Sequence, residues 1–294
     1  MFIEKFIKKY FISFYKDKEY LLLTETVKNK KVISSEKKEF KEKKELKEFI
    51  KKYTEQNPQT YVSTIIFTLN QGVIDSCNKK DYLLRNIDYD NVKIVCIDNK
   101  YSFYASIYDL NKIQKEYRFE IDFIYSVFAV IDYLAKKRKN TMYVLVFEKY
   151  LALLAYENNI PKYSDIIEME EKEDETEEIE EIDDIDLIDD SIDDIDSIEN
   201  IENIEEIEEI ENIEEKLNNL TTGIEVNILN FIKESLKEYY ENYSSDFIEK
   251  IIILDTIGID IEITKLIEDE ILIKAEYQKK DILKTINRLS IESL

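Results

Sequence analysis

The chain has no histidine and no tryptophan, and only three glycines, two prolines and two cysteines among 294 residues. Each shortage excludes something. Without histidine there can be no Ser-His-Asp triad, no Cys-His pair and no zinc site with imidazole ligands. Glycine normally makes up about 7% of a protein, and a phosphate-cradling loop needs several close together. Cys77 and Cys96 sit in apolar, strand-like segments and read as buried reduced thiols of a reducing compartment rather than as a disulfide or redox pair. No apolar run approaches the ~18 residues needed to span a bilayer. The opening MFIEKFIKKYFISFY lacks an uninterrupted apolar stretch and a small-residue cleavage site, so no signal peptide is expected. The default is a soluble cytoplasmic chain.

Charge is abundant and unevenly placed. The formal net charge is −24, from 65 acidic and 41 basic residues. Asp165 to Lys216 alone holds 28 acids against Lys172 and Lys216, leaving 37 acids and 39 bases elsewhere. Within it, isoleucine recurs at 179, 182, 185, 188, 192, 195, 198, 201, 204, 207, 210 and 213. A three-residue step drifts around an α-helix by about 60° each time and misses the two-residue period of a strand. Such a pattern predicts an acidic low-complexity insert over 168–216, disordered or only partly helical, between folded parts 1–167 and 217–294. Calcium loops need a tight turn, usually with glycine, and the insert has none. A solvated spacer, a nucleic-acid mimic and an arm for a basic partner remain as readings. Phosphate-backbone recognition runs on Lys and Arg, so no nucleic-acid partner is expected.

At the N-terminus, Phe2, Ile3, Phe6, Ile7, Tyr10 and Phe11 either line a basic amphipathic helix or lead into a first strand with solvated lysines. Residues 10–15 and Tyr20 to Ile33 read as a hairpin around Lys16-Asp17-Lys18. KKEFKEKKELKEFIKKY has helical spacing with interleaved Lys and Glu. Thr60 to Asn70 reads as one strand and Val92 to Asp98 as another, with a tyrosine-rich helix over 101–117. A short strand at 119–123, a helix to about 139, a strand pair at 142–147 and 151–157, and 160–167 follow. After the insert come a helix capped by Thr221 or Thr222 and ending near Tyr243, with Ile224, Ile228, Phe231, Ile232, Leu236 and Tyr239 on one face, and IEKIIILDTIGID as a buried strand entering a turn at Gly258. Helix, strand and helix then close the chain. Alternation of this kind predicts an α/β domain.

Three segments carry a more specific likeness: VKIVCIDNKYSFYASIYDLNKIQKEYRFEIDFIYSVFAVIDYL, TMYVLVFEKYLALLAYENNIPKYSDII and ILNFIKESLKEYYENYSSDFIEKIIILDTIGIDIEITKLIEDEI. Their order resembles the actin-like (ribonuclease H-like) two-lobed fold. In particular it resembles the pilus-assembly family called PilM and the cytoplasmic domain of the type II secretion L protein. The resemblance implies two phosphate hairpins, SFYKDKEY and VFEKYLA, and an adenosine-side turn, LDTIGID. Active relatives need glycines in both hairpins, because backbone amides must approach the phosphates unobstructed. Here neither hairpin has one, so Asp17, Glu148 and Gly258 are the remnants of a degenerate site.

The expectation is therefore a pseudo-ATPase without catalytic residues, metal or cofactor. It would serve as a non-catalytic scaffold of a type IV pilus, type II secretion or DNA-uptake (transformation) machine. The family resemblance implies docking to the cytoplasmic tail of an inner-membrane assembly-platform protein, proximity to the motor ATPase, and indirect association with the inner face of the bacterial inner membrane. One alternative is an ATP-binding protein with slow turnover, in which Asp17, Glu148, Asp255 or Asp260 holds Mg²⁺. Another is an anionic interaction protein that acts through the insert.

Overall fold

In the computed structural model, the described residues are 8–169, 223–243 and 246–294. The described residues of 1–169 and 227–294 belong to one compact unit. Of residues 170–226 only Gly223–Val226 are described, so the expected acidic insert lies outside the described residues from 170 onward.

The first lobe opens with three antiparallel strands, β1 (Lys9–Lys16), β2 (Tyr20–Lys28) and β3 (Lys31–Phe40). Helix α1 (Lys43–Gln56) carries the chain across to β4 (Thr60–Ile66), which lies parallel to β1. A small antiparallel sheet follows, from β5 (Gln71–Ile74), β6 (Val92–Ile97) and β7 (Tyr101–Ser106), with helix α2 (Lys79–Leu84) between its first two strands. Helix α3 (Ile107–Tyr117) returns to β8 (Phe123–Ser126), parallel to β4, and the order is β3-β2-β1-β4-β8.

After α4 (Val127–Leu134), the second lobe repeats the plan. Strands β9 (Thr141–Val146), β10 (Tyr150–Glu157) and β11 (Ile160–Glu168) form an antiparallel meander. Helix α5 (Ile224–Asn242), β12 (Lys250–Asp255), α6 (Ile263–Ile271) and β13 (Lys274–Lys279) complete a sheet ordered β11-β10-β9-β12-β13. The last helix, α7 (Ile282–Glu292), crosses back onto β1, β2 and β4 of the first lobe.

The central strands are apolar runs because both faces are covered. All six residues of β9 are buried. One core cluster joins the lobes through Tyr15, Leu23, Phe128, Phe147, Leu154, Ile252 and Ile286. A second lies under α1, where Leu46 and Ile50, one helical turn apart, meet Ile12, Phe14 and Tyr117.

Several boundaries differ from expectation. Asn29 and Lys30 have φ of 54° and 59°, the turn geometry of a tight hairpin. The second strand therefore ends at Lys28, and 31–40, whose last part overlaps the expected helix, is a strand. The run 60–70 breaks after Ile66, the tyrosine-rich 101–106 is a strand, and the strand expected at 119–123 is β8 at 123–126. Tyr10 and Phe11 belong to β1, and the rest of the suggested amphipathic helix, through Ile7, lies outside the described residues. Cys77 and Cys96 are joined in a disulfide with Cα atoms 5.7 Å apart, which corrects the expectation of free thiols. Local sequence could not show that the approach of β6 to the segment after β5 brings them together.

Candidate functional site

Three turns converge at the ends of the central strands. The first is the β1–β2 turn, where the Asp17 N–H donates to the Glu19 carbonyl at 3.1 Å. This turns the Asp17 side chain inward, leaving it 4% exposed. The second is the β9–β10 turn, closed by Phe147 N–H to the Tyr150 carbonyl at 2.9 Å. The third follows β12 and is stitched to the end of β9. There the Thr256 N–H and Oγ1–H both donate to the Val146 carbonyl, at 3.2 and 2.7 Å.

Asp17 ties the first turn to the second. Its Oδ2 accepts from the Glu148 N–H and its Oδ1 from the Lys149 N–H, both at 2.8 Å. Two adjacent amides aimed at one anion form the kind of concavity that elsewhere holds a phosphate oxygen, and here a carboxylate of the same chain occupies it. Burial raises the Asp17 pKa above its ordinary value. The two amides pull it down, the nearby Glu148 carboxylate pushes it up, and Lys149 pulls it down.

Aromatic rings pack around this contact. Phe147 is fully buried, with its ring centroid 5.6 Å from Tyr15 and 4.8 Å from Phe67. Phe67 in turn stacks on Tyr150 at 4.6 Å with planes 8° apart. Burial raises the pKa of the Tyr15 hydroxyl strongly, with help from Asp17, Asp281 and Glu148. It also raises Tyr150, to about 12, with Glu168 adding to the shift.

The third turn is organised by Asp255, which is fully buried. Its Oδ1 accepts from the N–H groups of Ile257 and Gly258 at 2.9 Å, and its Oδ2 from Gly258 N–H at 2.9 Å and Tyr277 Oη–H at 2.5 Å. The bond to Asp255 is the first cause raising the Tyr277 pKa to about 12. Gly258 has φ of +94°, a conformation that side chains with a Cβ rarely adopt. Asp260 is exposed at the start of α6, where its carboxylate accepts from Glu262 N–H at 2.9 Å.

The candidate residues are thus only partly brought together. Asp17 and Glu148 meet, but through the backbone of Glu148, whose side chain is exposed. Asp255 and Asp260 serve their own turn and helix. Among the described residues there is no group of three metal-ligating side chains. A 550 Å³ cavity beside the first turn is lined by Tyr15, Thr256, Lys279, Lys280 and Asp281, among others. Sequence reasoning missed Tyr15 and Phe67, whose signal is an aromatic at the end of each adjoining strand, and Tyr277, which had none.

This geometry can be set beside known proteins. A family model described as a domain of unknown function (DUF8341) matches residues 142–294, which is half of the chain. The chain belongs to the DUF8341 family. A second model, also a domain of unknown function (DUF8569), matches residues 6–132 of this DUF8341 protein. No curated protein sequence matches it. Among solved structures, the DUF8341 chain is similar to a Bacteroides thetaiotaomicron protein of actin-like ATPase fold and unknown function. The identity is 10%, coverage 96% and 95% of the two chains, and the TM-score 0.52. It is equally similar to a chain of the PilM–PilN type IV pilus biogenesis complex, at 11% identity, coverage of 97% and 96%, and TM-score 0.52. The cytoplasmic domain of EpsL, an inner-membrane component of the Vibrio cholerae type II secretion system, matches at 10% identity, 97% and 96% coverage and TM-score 0.43. The DUF8341 chain therefore has the fold of actin-like ATPases, as its element order suggested. Among its described residues no helix is long and apolar enough to cross a membrane.

Proposed function

We propose that this chain is a non-catalytic scaffold of a pilus, secretion or DNA-uptake machine, which docks the cytoplasmic tail of an inner-membrane assembly protein at the inner face of the membrane. One observation carries the non-catalytic part: the Asp17 carboxylate takes the two amides of Glu148 and Lys149 that a nucleotide phosphate would need. The rings of Tyr15, Phe67, Phe147 and Tyr150 fill space beside it, and a hairpin without glycine keeps side chains where phosphates would approach. The scaffold part is supported by the shared fold and nearly full mutual coverage with a chain of the PilM–PilN complex.

Two measurements test the reading separately. Calorimetry with MgATP should show no binding at micromolar concentrations. Measurable micromolar binding would favour the alternative, an ATP-binding protein that displaces Asp17 and turns over slowly. Pull-down from solubilised membranes should recover an assembly protein with a short cytoplasmic tail, together with its motor. Recovery of neither would sink the scaffold reading.

A further inference from the structure

The disulfide between Cys77 and Cys96 lies at the surface of the small sheet. Cys96 is exposed on β6, Cys77 is half-buried just after β5, and β6 pairs with β7 alone. Within the enclosed segment, Tyr82 is fully buried with its hydroxyl 2.5 Å from Ser102 Oγ. Arg85 pairs with Asp75 at 2.5 Å and lies over the Tyr243 ring at 5.4 Å, while Lys162 of β11 takes the other Asp75 oxygen at 2.7 Å. The segment therefore has anchors of its own. The sulfurs also have acceptors that thiols could use, with Cys77 Sγ 3.4 Å from the Tyr101 carbonyl oxygen and Cys96 Sγ 3.8 Å from Asn99 Oδ1.

We propose that Cys77–Cys96 is a reversible thiol–disulfide exchange site, opened by a dithiol reductant and closed on oxidation, with the β6 edge as the element that responds. This is independent of the scaffold reading. Accessible disulfides exchange readily, whereas structural ones resist the glutathione pool. A thiolate of the reductant attacks the exposed Cys96 Sγ, forming a mixed disulfide and expelling the Cys77 thiolate. The second thiol of the reductant then attacks its own bonded sulfur and releases the Cys96 thiolate. The reductant ends as a disulfide, two electrons pass to the pair, and both thiolates can take up protons and use the acceptors already in place.

Opening the bond removes a cross-link across a sequence separation of 19 residues, which loosens the enclosed segment without unfolding the rest. The test equilibrates the full chain in glutathione buffers and with dithiothreitol, counts thiols by alkylation and mass, and follows amide hydrogen exchange. The expected result is no reactive thiol in the oxidised protein and two after mild reduction, with exchange of residues 78–96 rising on the order of a hundredfold and the rest unchanged. The double variant C77S/C96S should match the reduced protein. If that variant fails to fold, the reduced natural chain still gives the exchange measurement. Thiols that alkylate in the oxidised protein, a bond that survives a large excess of reduced glutathione, or exchange that ignores reduction would each overturn the proposal.

Discussion

The two five-stranded sheets have the same order and the same mixture of an antiparallel meander with two parallel strands, yet they differ where they meet. The first lobe contributes a side chain to the junction, the Asp17 carboxylate, and the second contributes backbone, the amides of Glu148 and Lys149. Their third strands differ too. β3 is exposed over most of its length, whereas β11 is largely half-buried or buried, with Ser164 Oγ accepting from Val73 N–H of β5 at 3.0 Å. The repeated topology fixes where the turns lie. What each turn does depends on the residues it carries and on the neighbour it has acquired.

The largest expected effect tests the second-lobe turn. Asp255→Ala strips a buried acceptor from the amides of Ile257 and Gly258 and from Tyr277, and should cost about 3–4 kcal/mol in denaturant titrations. A loss under 1 kcal/mol would mean that the turn holds itself without the carboxylate. The third strands can be compared directly. Ile166 in β11 is 6% exposed and Ile33 in β3 is 53% exposed. Ile166→Ala should cost about 2–4 kcal/mol and Ile33→Ala no more than about 0.5. Equal losses would erase the asymmetry. Asp17→Ala leaves two amides unpaired at the junction and should cost about 2 kcal/mol, while the ring cluster keeps the hairpins in contact.

The smallest effect is in pH dependence. Because burial raises the Asp17 pKa, the folded chain holds this proton at a pH where the unfolded chain has released it. The contribution of this carboxyl to stability is present below its unfolded pKa, near 3.8, and is lost as pH rises through the raised folded value. The stability of the natural chain minus that of Asp17→Asn should therefore fall as pH rises across that window and then level off. A difference that rises instead would show that the two amide bonds outweigh desolvation.

How much of this could be read from sequence depended on where each signal resided. The β9–β10–β11 meander was legible because apolar runs are punctuated by short turns, and Asn158 and Asn159 adopt the positive φ values that such a turn demands. Helix α5 was legible from its single apolar face. β3 was not, because KVISSEKKEF is an exposed edge whose alternating Lys and Glu mimic an ion-paired helix. β7 was absorbed into a helix because YSFYAS leads into α3 without a break, apart from the Ser106 cap. At the site, the turns that hold Asp17, Glu148 and Gly258 could be placed from the apolar runs on either side of them. The contact that matters joins a side chain to amides 131 and 132 positions away, and amides have no sequence signature. The disulfide was missed for a related reason, since its partners meet only when β6 is laid beside β7.

The carboxylate at the junction has a consequence for competition. A tethered group meets its partner at an effective concentration set by the geometry of the chain rather than by the surrounding solution. Any phosphate or nucleotide that is to use the amides of Glu148 and Lys149 must first displace the tethered Asp17 carboxylate, so on the proposed scaffold reading the two lobes keep their connection as the cellular supply of nucleotide changes.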